Sequence, residues 1–126
     1  MTETPQTSEA TELAASKPEV AYDVFASLDI RAGRIVEVQP FPRARNPSYK
    51  VAVDLGSLGI RWSSAQITSY AADELVGTQV VCITNFAPRN IAGFQSQVLI
   101  LGVADEAGNV ILLSPRSEVP KGNPVY

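Results

Sequence analysis

The chain has 126 residues, with ten Lys+Arg against thirteen Asp+Glu, no histidine, one cysteine and one tryptophan. That length suits one domain. Without histidine there is no imidazole triad and no ordinary general base near neutral pH, and a single cysteine allows neither an internal disulfide nor a Cys/His zinc site.

Residues 1–18 are rich in Thr, Ser, Glu, Ala and Pro, with Leu13 as their one bulky aliphatic. Such a segment cannot bury enough apolar area to offset its ordering entropy, so it reads as a flexible acidic tail. Residues 19–126 then form the domain. A helix is expected over Pro18–Leu28, where Val20, Val24 and Leu28 recur every fourth residue beside Ala21 and Phe25. Strands follow. Ile30–Val38 is β-rich and carries Gly33, read as a bulge or bend. Pro40, Pro42 and Pro47 break the next stretch into a loop bearing Arg43, Arg45 and Asn46. Tyr49, Val51, Val53 and Leu55 alternate with Lys50, Ala52 and Asp54, the pattern of a half-buried strand.

Gly56 and Gly59 bracket a turn before a short strand Ile60–Ser64 with Trp62 on it. Thr68 or Ser69 is expected to cap a helix running through Leu75 and stopped by Gly77. Thr78–Thr84 is a nearly continuous β-branched run and Ser96–Val103 is another. Asp105–Asn109 reads as a hairpin turn returning into Val110–Leu113. Pro115–Tyr126, with three prolines and Gly122, is expected to be extended and irregular. About six strands and two short helices, with a glycine inside a long first strand and a helix between the third and fourth, favour a five-stranded OB barrel. The fold class is mainly β.

The longest apolar run, Val98–Ala104, is far short of the ~20 residues that span a bilayer. The N-terminus is acidic and lacks an apolar signal core, so a cytoplasmic protein with no membrane insertion is expected. The net charge of −3 averages unlike segments: residues 1–25 carry −4 and residues 26–126 carry +1. The basic residues of the domain concentrate around Arg43–Lys50, and local patches matter more than totals for steering.

Three stretches carry a family resemblance. They are Leu28-Asp29-Ile30-Arg31-Ala32-Gly33-Arg34-Ile35-Val36, Arg43-Ala44-Arg45-Asn46-Pro47-Ser48-Tyr49-Lys50, and Asn85-Phe86-Ala87-Pro88-Arg89-Asn90-Ile91 with Gly93, Ser96, Val98, Leu99 and Leu101. Together they resemble the tRNA-binding-domain family. Trp62-Ser63-Ser64-Ala65-Gln66-Ile67-Thr68 and Phe94-Gln95-Ser96-Gln97-Val98-Leu99 are similar to its CsaA branch, small homodimeric secretion chaperones. The resemblance covers roughly Phe25 to Tyr126. It implies an OB barrel with dimerisation extensions at its termini, and unfolded or export-precursor polypeptides, or tRNA, as ligands. Synthetase-attached members typically have Gly-Met where this chain has Val98-Leu99, and the chain is less basic than tRNA-binding members.

The candidate peptide- or RNA-binding residues are Arg43, Arg45, Lys50, Ser64, Asn85, Phe86, Arg89, Phe94 and Ser96. Arginine and lysine pair with phosphates, and asparagine reaches base edges or peptide backbone. Equally, the basic loop is a solvated one, and Asn85 and Ser96 hold loops together. Tyr49, Trp62, Phe86 and Phe94 are candidates for stacking on bases or lining an apolar pocket. The alternation of Tyr49 assigns it to the barrel core, whereas Phe41, Phe86 and Phe94 sit in loop contexts expected to be exposed. Cys82, inside an apolar strand, reads as an inert buried thiol. Asp73 and Glu74 suit a helix start but do not face each other as an acid/base pair. No catalytic, metal or cofactor constellation emerges, nor any Walker-type phosphate loop. The apolar stripe of Pro18–Leu28 and the apolar terminus Val125-Tyr126 need cover, which a homodimer would supply.

Overall fold

The computed structural model describes residues 15–126. Most of the expected tail, 1–18, therefore lies outside the described residues. The elements are α1 (Tyr22–Ala26), β1 (Ile30–Pro40), β2 (Tyr49–Asp54), a 3-10 turn (Gly56–Leu58), β3 (Ile60–Ala65), α2 (Ala72–Leu75) and β4 (Gln79–Ile83). Five short strands complete them: β5 (Arg89–Ile91), β6 (Phe94–Ser96), β7 (Leu99–Ile100), β8 (Gly102–Ala104) and β9 (Val110–Leu112). A five-stranded sheet, in the order β3-β2-β1-β4-β7, curls into a nearly closed OB-like barrel.

The long first strand makes the curl. Its first half, Ile30–Arg34, pairs antiparallel with β4, and its second half, Arg34–Pro40, pairs with β2. The bulge expected at Gly33 lies instead at Val36, where the register with β2 slips between Ile35 and Glu37. Gly33 is needed for a different reason. A Cβ there would stand 2.6 Å from Val53 Cγ1 and 2.8 Å from Leu55 Cδ2, so the strand can cross the core only without one. Inside the barrel Ile35, Val51, Val53, Leu55, Val80, Cys82 and Val98 are buried, with Ile67 and Leu75 in the same core cluster. Tyr49 packs against this core as its alternation predicts, its hydroxyl donating to Tyr70 O at 2.8 Å. Burial pushes the Cys82 thiol up to about 12, which keeps it an unreactive core residue.

Several expected elements are shorter or divided. The N-terminal helix occupies only Tyr22–Ala26, because Ala21 is extended at ψ 152. Of the expected stripe Val20 and Val24 are more than half exposed, as is Tyr22 beside them, whereas Phe25 and Leu28 are half-buried. The second helix starts at Ala72, not after Thr68 or Ser69, and Glu74 accepts from the Ala71 N–H at 2.7 Å. Ser96–Val103 is three strands rather than one. The chain pairs with β5, then β4, then leaves the barrel at Leu101 to form the β8–β9 hairpin. Asp105 closes that hairpin by accepting from the amides of Ala107 and Asn109.

The C-terminal segment is irregular but tethered. It runs along the edge of β1 that β2 does not reach. Gly122 N donates to Ala32 O, Ala32 N to Asn123 O, and Val125 N to Ile30 O. Arg31–Asp29, Arg34–Glu118 and Lys121–Asp54 are the ion pairs among the described residues, and the last two tie this strap to the barrel. No described helix is long and apolar enough to cross a membrane.

Candidate functional site

Successive strand residues point to opposite faces, so the residues that alternate with the core form the outer face of β1, β2 and β3. Register places Gln39, Lys50 and Ser64 in one cross-strand row. The next row is Glu37, Ala52 and Trp62. Ala52 is the small residue between its two larger neighbours and is buried.

The β5–β6 hairpin folds over this face. Its two-residue turn has positive φ at both Ala92 (50°) and Gly93 (86°), the conformation that best matches strand twist. Asn90 Oδ1 accepts from Gly93 N at 2.9 Å and helps hold the bend. Phe94 is thereby set edge-on to Trp62, with ring centroids 6.2 Å apart, and to Phe41 at 5.4 Å. Phe41, expected to be an exposed loop aromatic, is buried; it forms the floor under Phe94. The Lys50 ammonium lies 4.9 Å from the Phe41 centroid and 5.1 Å from that of Phe94, within cation–π range.

Two adjoining recesses result. One, of about 350 Å³, is lined by Gln39, Lys50, Trp62, Phe94, Gln95 and Gln97. Its neighbour shares Lys50 and Phe94 and adds Arg43. A third recess, of about 200 Å³, lies beyond the β3 edge and is lined by Ser64, Phe86, Arg89, Ser96, Val98 and Leu99 among others.

The seam between them is closed largely by side chains. Trp62 N donates to Gln97 Oε1 at 2.8 Å, and Ser64 N donates to Ser96 Oγ at 3.0 Å. One backbone bond, Gln97 N to Trp62 O at 2.7 Å, completes it.

The nine sequence candidates are thus distributed. Lys50, Arg43 and Phe94 meet at the larger recesses, and Ser64, Phe86, Arg89 and Ser96 at the smaller one. Arg45 stands apart, on the proline loop with Pro47 and Thr68. Asn85 belongs to neither group. Its Oδ1 accepts from Asp29 N and its Nδ2 donates to Ser27 O, each at 2.9 Å, so it clamps the end of α1 to the start of β1. Asp29 beside it is held below the usual carboxylate range chiefly by its hydrogen bond from Arg31. Sequence reasoning missed Gln39, Gln95 and Gln97. The outward alternation of β1 points to Gln39, but α2, β4 and the β5–β6 hairpin lie in the 35 positions between Trp62 and Gln97, and no spacing announces their contact.

A barrel of this topology, with a row of polar and aromatic side chains on its outer strands, is a ligand-binding OB-type module. The family model described as “Putative tRNA binding domain” matches residues 30–124, and the chain belongs to that family. Two crystal structures of CsaA chaperones are similar to it. That from Bacillus anthracis str. Ames is 41% identical with a TM-score of 0.82, and that from Picrophilus torridus is 40% identical with a TM-score of 0.81. In both, the match covers 86% of this chain and 100% of the other. Methionine--tRNA ligases are also similar, among them that of Methanoculleus marisnigri, 40% identical over 98 residues, and that of Porphyromonas gingivalis, 35% identical over 107. The chain spans only 15% and 16% of those enzymes' lengths, and 78% and 85% of it is covered. It is a CsaA-like member of the tRNA-binding-domain family.

Proposed function

We propose that the protein is a non-enzymatic, homodimeric, CsaA-like chaperone that holds unfolded or export-precursor polypeptides in the cytoplasm. The observation that carries this reading is the smaller recess. Phe86, Val98 and Leu99 offer it apolar surface, Ser64 and Ser96 offer hydroxyls, and Arg89 stands at its edge. Phe86 is 49% exposed, so apolar surface is on offer to a partner. An extended chain would place an apolar side chain there and satisfy its backbone on the rim. Hold and release follow mass action. The exposed apolar side chains of Val20, Tyr22 and Val24, on and just before α1, support self-association. Light scattering at tens of micromolar should give the mass of two chains, and a single-chain mass would refute the dimer.

A second reading, a tRNA or structured-RNA binder, is favoured by a specific observation. The ion pairs of the described residues occupy Arg31, Arg34 and Lys121, and Arg43, Lys50 and Arg89, which line the recesses, are in none of them. Titration of tRNA and of an unfolded polypeptide at two salt concentrations separates the readings. Phosphate binding weakens with a log–log slope of about 0.7–0.9 per contact. Apolar polypeptide binding stays nearly flat. Absence of both at micromolar concentration and low salt would sink both readings.

A further inference from the structure

We propose that the recess of about 350 Å³ lined by Gln39, Trp62, Phe94 and Gln97 is a nucleobase pocket, taking one unpaired base, best a purine, with its phosphate on Lys50 and Arg43. This rests on the RNA reading of the face and deepens it.

The amide chemistry leads there. Trp62 N–H is a donor, so the Gln97 atom that meets it is Oε1, and the Gln97 amide group is left with its Nε2 donor. Gln39 donates through Nε2 to the Glu37 carboxylate, so its Oε1 acceptor remains. Two of the lining amides are thus fixed in orientation, one offering a donor and one an acceptor. Gln95 is exposed at the rim and free to offer either. Every nucleobase carries a donor and an acceptor side by side on an edge, and glutamine amides are suited to reading such pairs.

Stacking surface and charge agree. Trp62 and Phe94 line the same recess, at a near-perpendicular 88° to each other, so one ring can stack on a base while the other borders its edge. A volume of about 350 Å³ accommodates a purine with its sugar at the mouth. Lys50 stands where this recess meets the one containing Arg43, and Glu37 lines neither. Cations without a lining carboxylate match a base that brings a phosphate. They match an apolar peptide side chain less well.

The sole tryptophan makes the test direct, since a base stacked on Trp62 quenches the chain's only indole. The intact protein is titrated with adenosine, AMP, ribose 5-phosphate, an adenylate hexanucleotide, tRNA and an unfolded polypeptide. Adenosine, AMP and the hexanucleotide are expected to quench, and ribose 5-phosphate is not. Gln97→Glu keeps the acceptor for Trp62 N but replaces the free donor. It should weaken neutral adenosine about tenfold while leaving thermal unfolding in place. Lys50→Gln should weaken AMP and spare adenosine.

If tRNA binds yet adenosine and AMP leave the fluorescence unchanged at millimolar concentration, the pocket is refuted and the RNA reading stands. If no nucleotide or RNA binds, both fall. Quenching by the polypeptide alone, sensitive to Gln97→Glu, would assign the recess to peptide and overturn the proposal.

Discussion

Asn85 and Lys50 were both candidates for ligand contact, and their surroundings now separate them. Both ends of the Asn85 amide are engaged by backbone groups at the α1–β1 corner. Replacing Asn85 with Ala should therefore cost about 1–2 kcal/mol of stability, since two hydrogen bonds are lost at a solvent-accessible site. Affinity for tRNA and for polypeptide should stay unchanged. Denaturant unfolding read beside the two titrations checks this, and a loss of affinity at full stability would return Asn85 to the binding site. Gly33 makes the opposite case, of a residue whose role is purely steric. Gly33→Ala sets a methyl against Val53 and Leu55 in the closed core, and overpacking of that kind costs about 1–3 kcal/mol. The shift in denaturant midpoint measures it.

Among the elements, the C-terminal strap acts as a partial strand on β1. Ending the chain after Glu118 would remove the backbone bonds of residues 122–125 to Ile30 and Ala32, together with the Lys121–Asp54 pair. At about 1 kcal/mol per hydrogen bond, the loss should be about 3 kcal/mol and lower the melting temperature clearly. A truncated protein melting with the full chain would show that the strap contributes little. Element ends also set the acid limb of stability. The carboxyls of Asp29, Asp54 and Asp105 lie below their ordinary value of 3.8. The causes, in that order, are chiefly the Arg31 hydrogen bond, the Gly56 amide and the Asn109 amide. Each folded pKa is depressed, so the unfolded chain binds more protons as pH falls below the unfolded value. This contribution is present in full above about pH 5 and is lost as pH falls through the folded values. Asp54→Asn should flatten part of that fall in a pH series of unfolding midpoints. The barrel strands were legible in the sequence because period-2 alternation is imposed by a one-sided core, as in Tyr49–Leu55. The β5–β6 hairpin was not, because its turn places Ala92 at positive φ, where Asn or Asp would have signalled it. The length of α1 was not legible either, since Ala21, a good helix former, stands extended at its start.

Across the whole molecule, six of the ten cations fall into two sets with different work. Arg31, Arg34 and Lys121 are paired with Asp29, Glu118 and Asp54 around the strap. Arg43, Lys50 and Arg89 border the recesses, and among the described residues none of them is in an ion pair. The sequence located the basic cluster at Arg43–Lys50 but could not say which cations were already neutralised, because partners such as Glu118 and Arg34 lie 84 positions apart. If the binding face takes RNA, the two sets dissociate experimentally. Each of Arg43→Gln and Lys50→Gln should lower the slope of log affinity against log salt by about 0.7–0.9, one counterion-releasing contact apiece. Arg43→Gln should unfold like the parent, and Lys50→Gln should lose no more than about 0.5–1 kcal/mol with its cation–π contacts. Arg34→Gln should behave inversely: it strips the Glu118 pair and the hydrogen bond to Gly77 O, lowering the unfolding midpoint while the salt slope stays that of the parent. Equal slope changes from all three variants would mean that net charge, and not this face, governs the association. No slope change from Arg43→Gln or Lys50→Gln would move the phosphate contacts elsewhere on the barrel.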